Sequence, residues 1–511
     1  MESFSGDYSL PGAPLKAAAI GEDGSMKDYT KLFIGGQWCE PSSDARLTVR
    51  SPATGEIVGS APEAANADID RAVTAARTAF DTGPWPRLPL AERLKVLRRV
   101  RDILAGRLDE LNLLSTRENG VAIAVNSGGS ALAVLDFYIA AAERYPFEET
   151  RTGVFGNRGT IVREPVGVVA GITAWNGPLL QLMGKAAPAL AAGCTVVLKP
   201  APETPLTAMA LAEAFAHAGL PPGVLSILPA GREAGRHLVS HPGIDKVTFT
   251  GSPAAGREIG QICAGAMKRV SLELGGKSAA IILDDADAAT ASTFVSLGCM
   301  AYSGQACAAL TRVLVPRARY GEFIDSLSAA IGRLKLGDPR DPTTIIGPLV
   351  AERQLRRVED YIATGVAEGA RIALGGGRPP EWPDGWYIQP TLFADVDNGM
   401  RIAREEIFGP VLCAIPYDTE EDAIAIANDN PYGLSGAVFG ADPGRVERVA
   451  RRLRTGSVGL NAIAGDVGLP FGGFKASGIG REFADETFDH FTETKVLSRN
   501  DAASFGALKL A

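Results

Sequence analysis

Cys307 stands in the stretch "YSGQACAAL" (302–310), with alanine on either side. Such neighbours leave two readings open. One is a small core side chain, the common fate of a free cysteine. The other is a nucleophile whose surroundings are clear for a substrate. A nucleophile needs a base, and histidine is scarce: only His217, His237, His241 and His490 occur, none grouped with cysteine or carboxylate at ligand spacing. That argues against a zinc mechanism and for a base of another type. Glu273 closes the apolar run of "SLELGGKS", with Leu272 and Leu274 turned to the opposite face. It either meets solvent or lies in a cleft as a general base with a raised pKa. Asn176, in "TAWNGPLL", precedes Pro178 and fits a helix N-cap. Its amide is equally suited to donate to a developing oxyanion.

Two further stretches suit a phosphorylated ligand. "VTFTGSPAAG" (247–256) runs a strand into Gly251-Ser252 and then a helix start with Gly256. The glycines permit a tight turn and close backbone approach, and a helix N-terminus offers free N–H groups to phosphate. The stretch is not GxGxxG, and a plain strand-to-helix turn fits as well. Lys199 ends "VVLKP", either as a solvated strand-end lysine or within reach of a ribose hydroxyl.

The elements that must position these residues follow from pattern. From about 66 to 145 apolar residues recur at three and four with charges between them, which predicts amphipathic helices. Beyond about 160, short apolar runs alternate with helical stretches: "GVVAGIT", "CTVVLKP", "GVLSILP" and "DKVTFTGS" read as strands. Such alternation predicts βαβ units and a parallel, doubly wound sheet, with ligand at the carboxyl ends of its strands. The alternation restarts after "RVSLELGGKSAAIILDDAD", with a helix over about 288–303, the strand "RVLVP" and a further helix, and runs to about 475. At 511 residues two or three domains are expected.

Composition narrows the class. The chain is 46% hydrophobic and 22% charged, an ordinary globular balance, and its formal charge of -8 favours neither nucleic acid nor an anionic membrane. No apolar run reads as a membrane span. Six cysteines without a CxxC pair suggest a reduced, cytoplasmic setting. The first thirty residues mix acids with two lysines and lack an apolar core, so they read as a flexible extension (1–30) and not as a targeting peptide.

Taken in order, "TAWNGP", "VVLKP", "FTGSPAAG", "LELGGKS", "GQAC" and "EEIFGPV" (405–411) closely resemble the aldehyde dehydrogenase superfamily. "YTKLFIGGQW" and "LPFGGFKASGIGRE" (469–482) fit its early and late stretches, so the resemblance spans about residues 30 to 500. It implies an α/β chain in three parts. A Rossmann-like cofactor domain covers 31–145 and 166–274, and a second α/β domain with the nucleophile covers 275–483. A small protruding β element for dimers or tetramers covers 146–165 and 484–511. It also implies Cys307 as nucleophile, Glu273 as the base that activates water, and Asn176 with the Cys307 N–H as oxyanion donors. Lys199 would hold the adenosine ribose; Gly251, Ser252 and Gly256 would form the phosphate turn. Glu406 would bind the nicotinamide ribose, with Phe408, Thr173, Trp175 and Leu274 completing the cofactor wall. No metal is implied.

Two departures bear on specificity. NAD-preferring members often carry a glutamate three residues after the lysine; here that residue is Pro202, with Glu203 one place later. NAD is the expected cofactor, with NADP left open. Where the family often has a bulky aromatic after the asparagine, this chain has Gly177, with Gly184 seven residues on along the same helical face. Aligned helix glycines suggest either close helix packing or a wide tunnel. With Ala306, Ala308 and Phe471 they would form a pocket for a bulky, apolar aldehyde, aromatic or terpenoid. A semialdehyde or CoA-acylating dehydrogenase is the alternative, and a catalytically silent binding protein the rival of another class.

Overall fold

The computed structural model describes residues 26–126, 128–154 and 157–499. The N-terminal segment supplies β1 (Lys27–Asp28), β2 (Leu32–Ile34), β3 (Gln37–Cys39), β4 (Arg46–Arg50) and β5 (Ile57–Pro62). Because β1 already pairs with β5, folded structure begins inside the span expected to be an extension; residues 1–25 of that span lie outside the described residues. Four helices follow: α1 (Asn66–Asp81), α2 (Leu90–Ala105), α3 (Leu108–Asn119) and α4 (Gly128–Arg144). In α1 the buried residues Ile69, Ala72, Val73, Ala76 and Ala79 keep the three-and-four spacing that makes one apolar stripe.

Two antiparallel strands, β6 (Glu148–Thr152) and β7 (Arg158–Pro165), lead into the first α/β unit. It runs β8 (Val168–Ile172), α5 (Pro178–Ala192), β9 (Thr195–Lys199), α6 (Pro205–His217), β10 (Leu225–Ile227), α7 (Arg232–Ser240), β11 (Lys246–Thr250), α8 (Pro253–Gly265) and β12 (Arg269–Glu273). Helix α7 escapes sequence pattern because its nine residues carry only two large apolar side chains, Leu238 and Val239. Strands β8 and β9 are buried at every position, as a parallel sheet covered on both faces requires. One face packs α2, α4, α5 and α6, and the other packs α1, α7 and α8.

The second unit contains β13 (Ala279–Ile282), α9 (Ala288–Met300), β14 (Arg312–Pro316), α10 (Tyr320–Gly332), α11 (Glu352–Ala367), β15 (Arg371–Leu374), β16 (Thr391–Ala394), β17 (Val411–Tyr417), β18 (Gly436–Phe439) and β19 (Gly459–Leu460). These strands form a seven-stranded sheet in the order β15-β16-β17-β14-β13-β18-β19. Two late strands then return to earlier parts of the chain. β20 (Gly478–Ile479) pairs with β12, and β21 (Thr492–Arg499) pairs with β7. The first sheet is thus eight-stranded, β20-β12-β11-β8-β9-β10-β2-β3, and β21-β7-β6 form a separate three-stranded sheet. Phe488 and Phe491, just before β21, pack into the core around α4 and α5, so the chain joins the small sheet only at Thr492.

The fold is mixed α/β with two largely parallel sheets, as expected. The membrane argument needs one correction. Ile123–Arg144 is long and apolar enough to cross a membrane by length and composition. In the fold its helix α4 lies against α2 and α5, with Val134, Leu135, Tyr138, Ala141 and Ala142 in the core.

Candidate active site

In the first sheet the chain goes one way through β8, β9 and β10 and the other way through β11 and β12. The strand order reverses between β8 and β11, which is where an open α/β sheet forms its ligand crevice. The residues leaving those two strands are Thr173-Ala174-Trp175-Asn176 and Thr250-Gly251-Ser252, and both line the same cavities. One cavity, of about 390 Å³, is also lined by Lys199, Pro202, Glu203, Gly235 and Ile259. The other, of about 840 Å³, continues past Leu274 to Glu273, Cys307, Glu406 and Phe408.

Lys199 is not a solvated strand-end lysine: it is 6% exposed, with its Nζ donating to the Ala230 and Pro200 carbonyls at 2.7 and 3.0 Å. Burial pushes its pKa down to about 8. Ser252 is the N-cap of α8, accepting from the Ala255 N–H, so the helix opens at Pro253 with Gly256 in its first turn. Neither Gly251 nor Gly256 has a left-handed φ. Their small size serves packing: a Cβ would lie 2.4 Å from the Phe249 ring at Gly251 and 2.6 Å from Leu274 at Gly256. The Thr173 and Thr250 hydroxyls are buried without a protein partner in these walls, a donor and acceptor set suited to a polar cofactor.

Asn176 is not an N-cap. Gly177 holds that position, without a side-chain cap. The Asn176 Nδ2 instead donates to the Gln305 carbonyl at 2.8 Å, two residues from Cys307. Cys307 follows a left-handed turn in which Tyr302, Ser303 and Gly304 all have φ between 55° and 68°. For the two non-glycine residues that conformation is strained, and the turn is pinned from outside. The Ser303 Oγ donates to the Gly347 carbonyl at 2.8 Å, and the Gln305 Oε1 accepts from the Val350 N–H at 3.0 Å. The turn ends α9 at Met300, three residues before the expected end. Ala306, Cys307 and Ala308 are all half-buried, on the open side of this loop. Burial, with the Glu406 and Glu273 charges added, pushes the Cys307 thiol up to about 12.

Glu273 is the last residue of β12, 4% exposed, with neither carboxyl oxygen hydrogen-bonded. Burial first, and then the Glu482 charge, raise its pKa well above the usual carboxylate range, while Lys185 and Arg481 oppose the rise. Glu406 is half-buried, its Oε1 accepting from the Gly276 N–H at 3.0 Å, and desolvation of its carboxyl lifts it to about 7. Phe408, at φ 62°, lies edge-on to Trp175 with ring centroids 5.3 Å apart.

The expected pocket residues gather less tightly. Gly177, Gly184, Ala306, Ala308 and Phe471 do not line the 840 Å³ cavity. Gly184 faces a side chain: a Cβ there would lie 3.3 Å from Cε1 of Phe483, which itself pairs with Phe471 at 6.1 Å. Close packing therefore accounts for Gly184.

Several supporting residues escape sequence reasoning. Gly275 and Gly276 are where the two units meet: a Cβ would lie 2.2 Å from Glu406 Oε2 at the first and 2.3 Å from the Cys307 carbonyl at the second. Gln354 and Arg357 of α11 hold the Glu406–Phe408 backbone through its carbonyls. Lys185 and Glu482 form a buried ion pair, joined by Thr248, behind Glu273. The doubled glycine of "LELGG" was the readable signal; the others look like ordinary surface or helix residues in sequence.

The sequence signature of the "Aldehyde dehydrogenase family" matches residues 38–497. The chain belongs to the aldehyde dehydrogenase family. A geranial dehydrogenase of Castellaniella defragrans is 44% identical over 471 residues, covering 92% of this chain and 98% of the relative. A 3-succinoylsemialdehyde-pyridine dehydrogenase of a Pseudomonas species is 44% identical over 480 residues, covering 92% and 99%. Among solved structures, a Mycobacterium tuberculosis aldehyde dehydrogenase complexed with NAD+ superposes with TM-score 0.92 at 51% identity, over 94% of this chain and 99% of that one. An aldehyde dehydrogenase C mutant of Pseudomonas syringae, complexed with NAD+ and octanal, gives 0.89 at 40%, over 93% and 98%. This aldehyde dehydrogenase thus shares fold and family with all four along nearly its whole length.

Proposed function

We propose that the protein oxidises a bulky, largely apolar aldehyde to its acid with NAD+, through a covalent Cys307 intermediate. The observation that carries this is the shared cavity: Cys307, Glu273 and Asn176 line one space with Trp175, Gly251, Ser252, Glu406 and Phe408. The Cys307 thiol passes its proton by way of Glu273 to solvent and, as the thiolate, adds to the aldehyde carbonyl, giving a thiohemiacetal. The Asn176 amide and the Cys307 N–H hold its oxyanion. Bound NAD+ supplies the hydride acceptor that turns this adduct into a thioester. Glu273, a desolvated carboxylate with both oxygens free, takes a proton from the water that releases the acid. Lys199, Ser252 and Glu406 are the groups that hold the cofactor. NAD+ is favoured over NADP because the related solved structures carry NAD+ and because the Glu203 carboxylate lines the cavity, although its ion pair with Arg353 offsets part of its repulsion of a 2′-phosphate.

The aldehyde class rests on the small residues Ala306 and Ala308 that flank Cys307 in the chain, and on the relatives, one of which acts on geranial, a terpenoid, and another on a pyridine-bearing semialdehyde. The test is an aldehyde panel followed at 340 nm with NAD and NADP in parallel. A branched or cyclic C8–C10 aldehyde should exceed acetaldehyde in kcat/KM by at least tenfold; equal values overturn the pocket reading. Acid formation without coenzyme A separates this activity from an acylating dehydrogenase, which has no use for Glu273.

A further inference from the structure

We infer that Gln181 is a positioning residue that fixes the amide polarity of Asn176. Gln181 lies in the first turn of α5, where side chains lean toward the helix N-terminus. It reaches back over the loop that carries Asn176. Three hydrogen bonds run in series. The Ala174 N–H donates to Gln181 Oε1 at 2.8 Å, Gln181 Nε2 donates to Asn176 Oδ1 at 2.7 Å, and Asn176 Nδ2 donates to the Gln305 carbonyl at 2.8 Å.

Both ends of this relay are backbone groups whose roles cannot change. A peptide N–H only donates and a peptide carbonyl only accepts. The two amides between them therefore have one consistent orientation. Turning Asn176 over would set its oxygen against the Gln305 carbonyl and its NH₂ against that of Gln181. Turning Gln181 over would set its NH₂ against the Ala174 N–H. An Asn NH₂ has two hydrogens, and the relay uses one. The other is left in a fixed direction at the loop that bears Cys307. Gln181 does not line the cavity that holds Cys307, Glu273 and Asn176, so its role here is to hold Asn176 and not to contact the aldehyde.

The inference rests on Asn176 as an oxyanion donor, so its test is a double-mutant cycle with benzaldehyde and octanal as substrates. Asn176→Ala should lower kcat/KM by roughly 10²–10³; if it does not, the oxyanion reading itself fails. Given that loss, Gln181→Leu should lower kcat/KM about tenfold in the native background, by the worth of one hydrogen bond and a freed amide. In the Asn176→Ala background it should change kcat/KM less than twofold. Gln181→Glu keeps the acceptor for Ala174 but cannot donate to Asn176, and should lose at least as much, again without additivity. Thermal melting identifies any variant that fails to fold, and the other variant then decides. An impaired Asn176→Ala beside an unimpaired Gln181→Leu or Gln181→Glu overturns the inference. Equal losses in both backgrounds also overturn it, because they mark a merely structural role.

Discussion

At the scale of single residues the site is defined by burial acting on charge. Three acidic groups share a partly desolvated cavity, and each resists ionisation: Cys307 through desolvation and two carboxylates, Glu273 through burial and Glu482, Glu406 through desolvation alone. For a base, a raised pKa means that the active, unprotonated form is lost at a higher pH than for an ordinary glutamate, near 4.3. The rising limb of thioester hydrolysis should therefore sit well above that range, and Glu273→Gln should remove it. Rapid-mixing measurement of NADH should show that variant releasing about one equivalent per active site and then nearly stopping; steady turnover within tenfold of native would exclude Glu273 as the base. A second expectation concerns the thiol. Because the Glu406 charge holds Cys307 protonated, Glu406→Gln should move the pH profile of Cys307 alkylation by iodoacetamide to lower pH in the cofactor-free enzyme. An unmoved profile would leave burial and the Glu273 charge as the cause.

At the scale of elements, the nucleophile is placed by a turn and not by the helix before it. Gly304 has φ 68°, and a Cβ there would lie 2.1 Å from the Gly409 carbonyl, so a side chain would be strained in conformation and has no space. Gly304→Ala should shift the Cys307 loop against the Glu406–Gly409 segment, lowering kcat/KM at least tenfold and the melting temperature by a few degrees. Native kinetics in that variant would show that the turn tolerates movement. This level is also where sequence reading reached its limit. Period and alternation made both parallel sheets legible, and the ordered motifs named Cys307, Glu273 and Asn176. Left-handed residues at Tyr302 and Ser303 are tertiary: they carry no propensity signal and persist because Ser303 and Gln305 are tied to residues 347–350. The same holds for Gln181 and Lys185, whose partners are a loop and a residue almost three hundred positions away.

At the scale of the whole molecule, long-range returns of the chain matter most. β20 closes the first sheet beside Glu273, so the last part of the second unit braces the base. β21 does something different. It pairs with β7 over eight residues and leaves its other edge unpaired among the described residues. Val496 and Leu497 point to opposite faces of that strand, yet they are 58% and 48% exposed. Neither face of the small sheet is covered there, and a long, bare strand edge is a ready template for another chain. The Lys495–Glu164 ion pair across the sheet offers only weak protection, being half-exposed on both sides. A second copy covering this sheet is the expectation to be tested. Light scattering on the eluting protein should then give two or four times 53.4 kDa. Replacing Val496 and Leu497 with lysine should shift that mass toward 53.4 kDa while circular dichroism stays native. A native protein that elutes as a monomer, or a double variant that keeps the full oligomeric mass, would place the contact elsewhere or remove it.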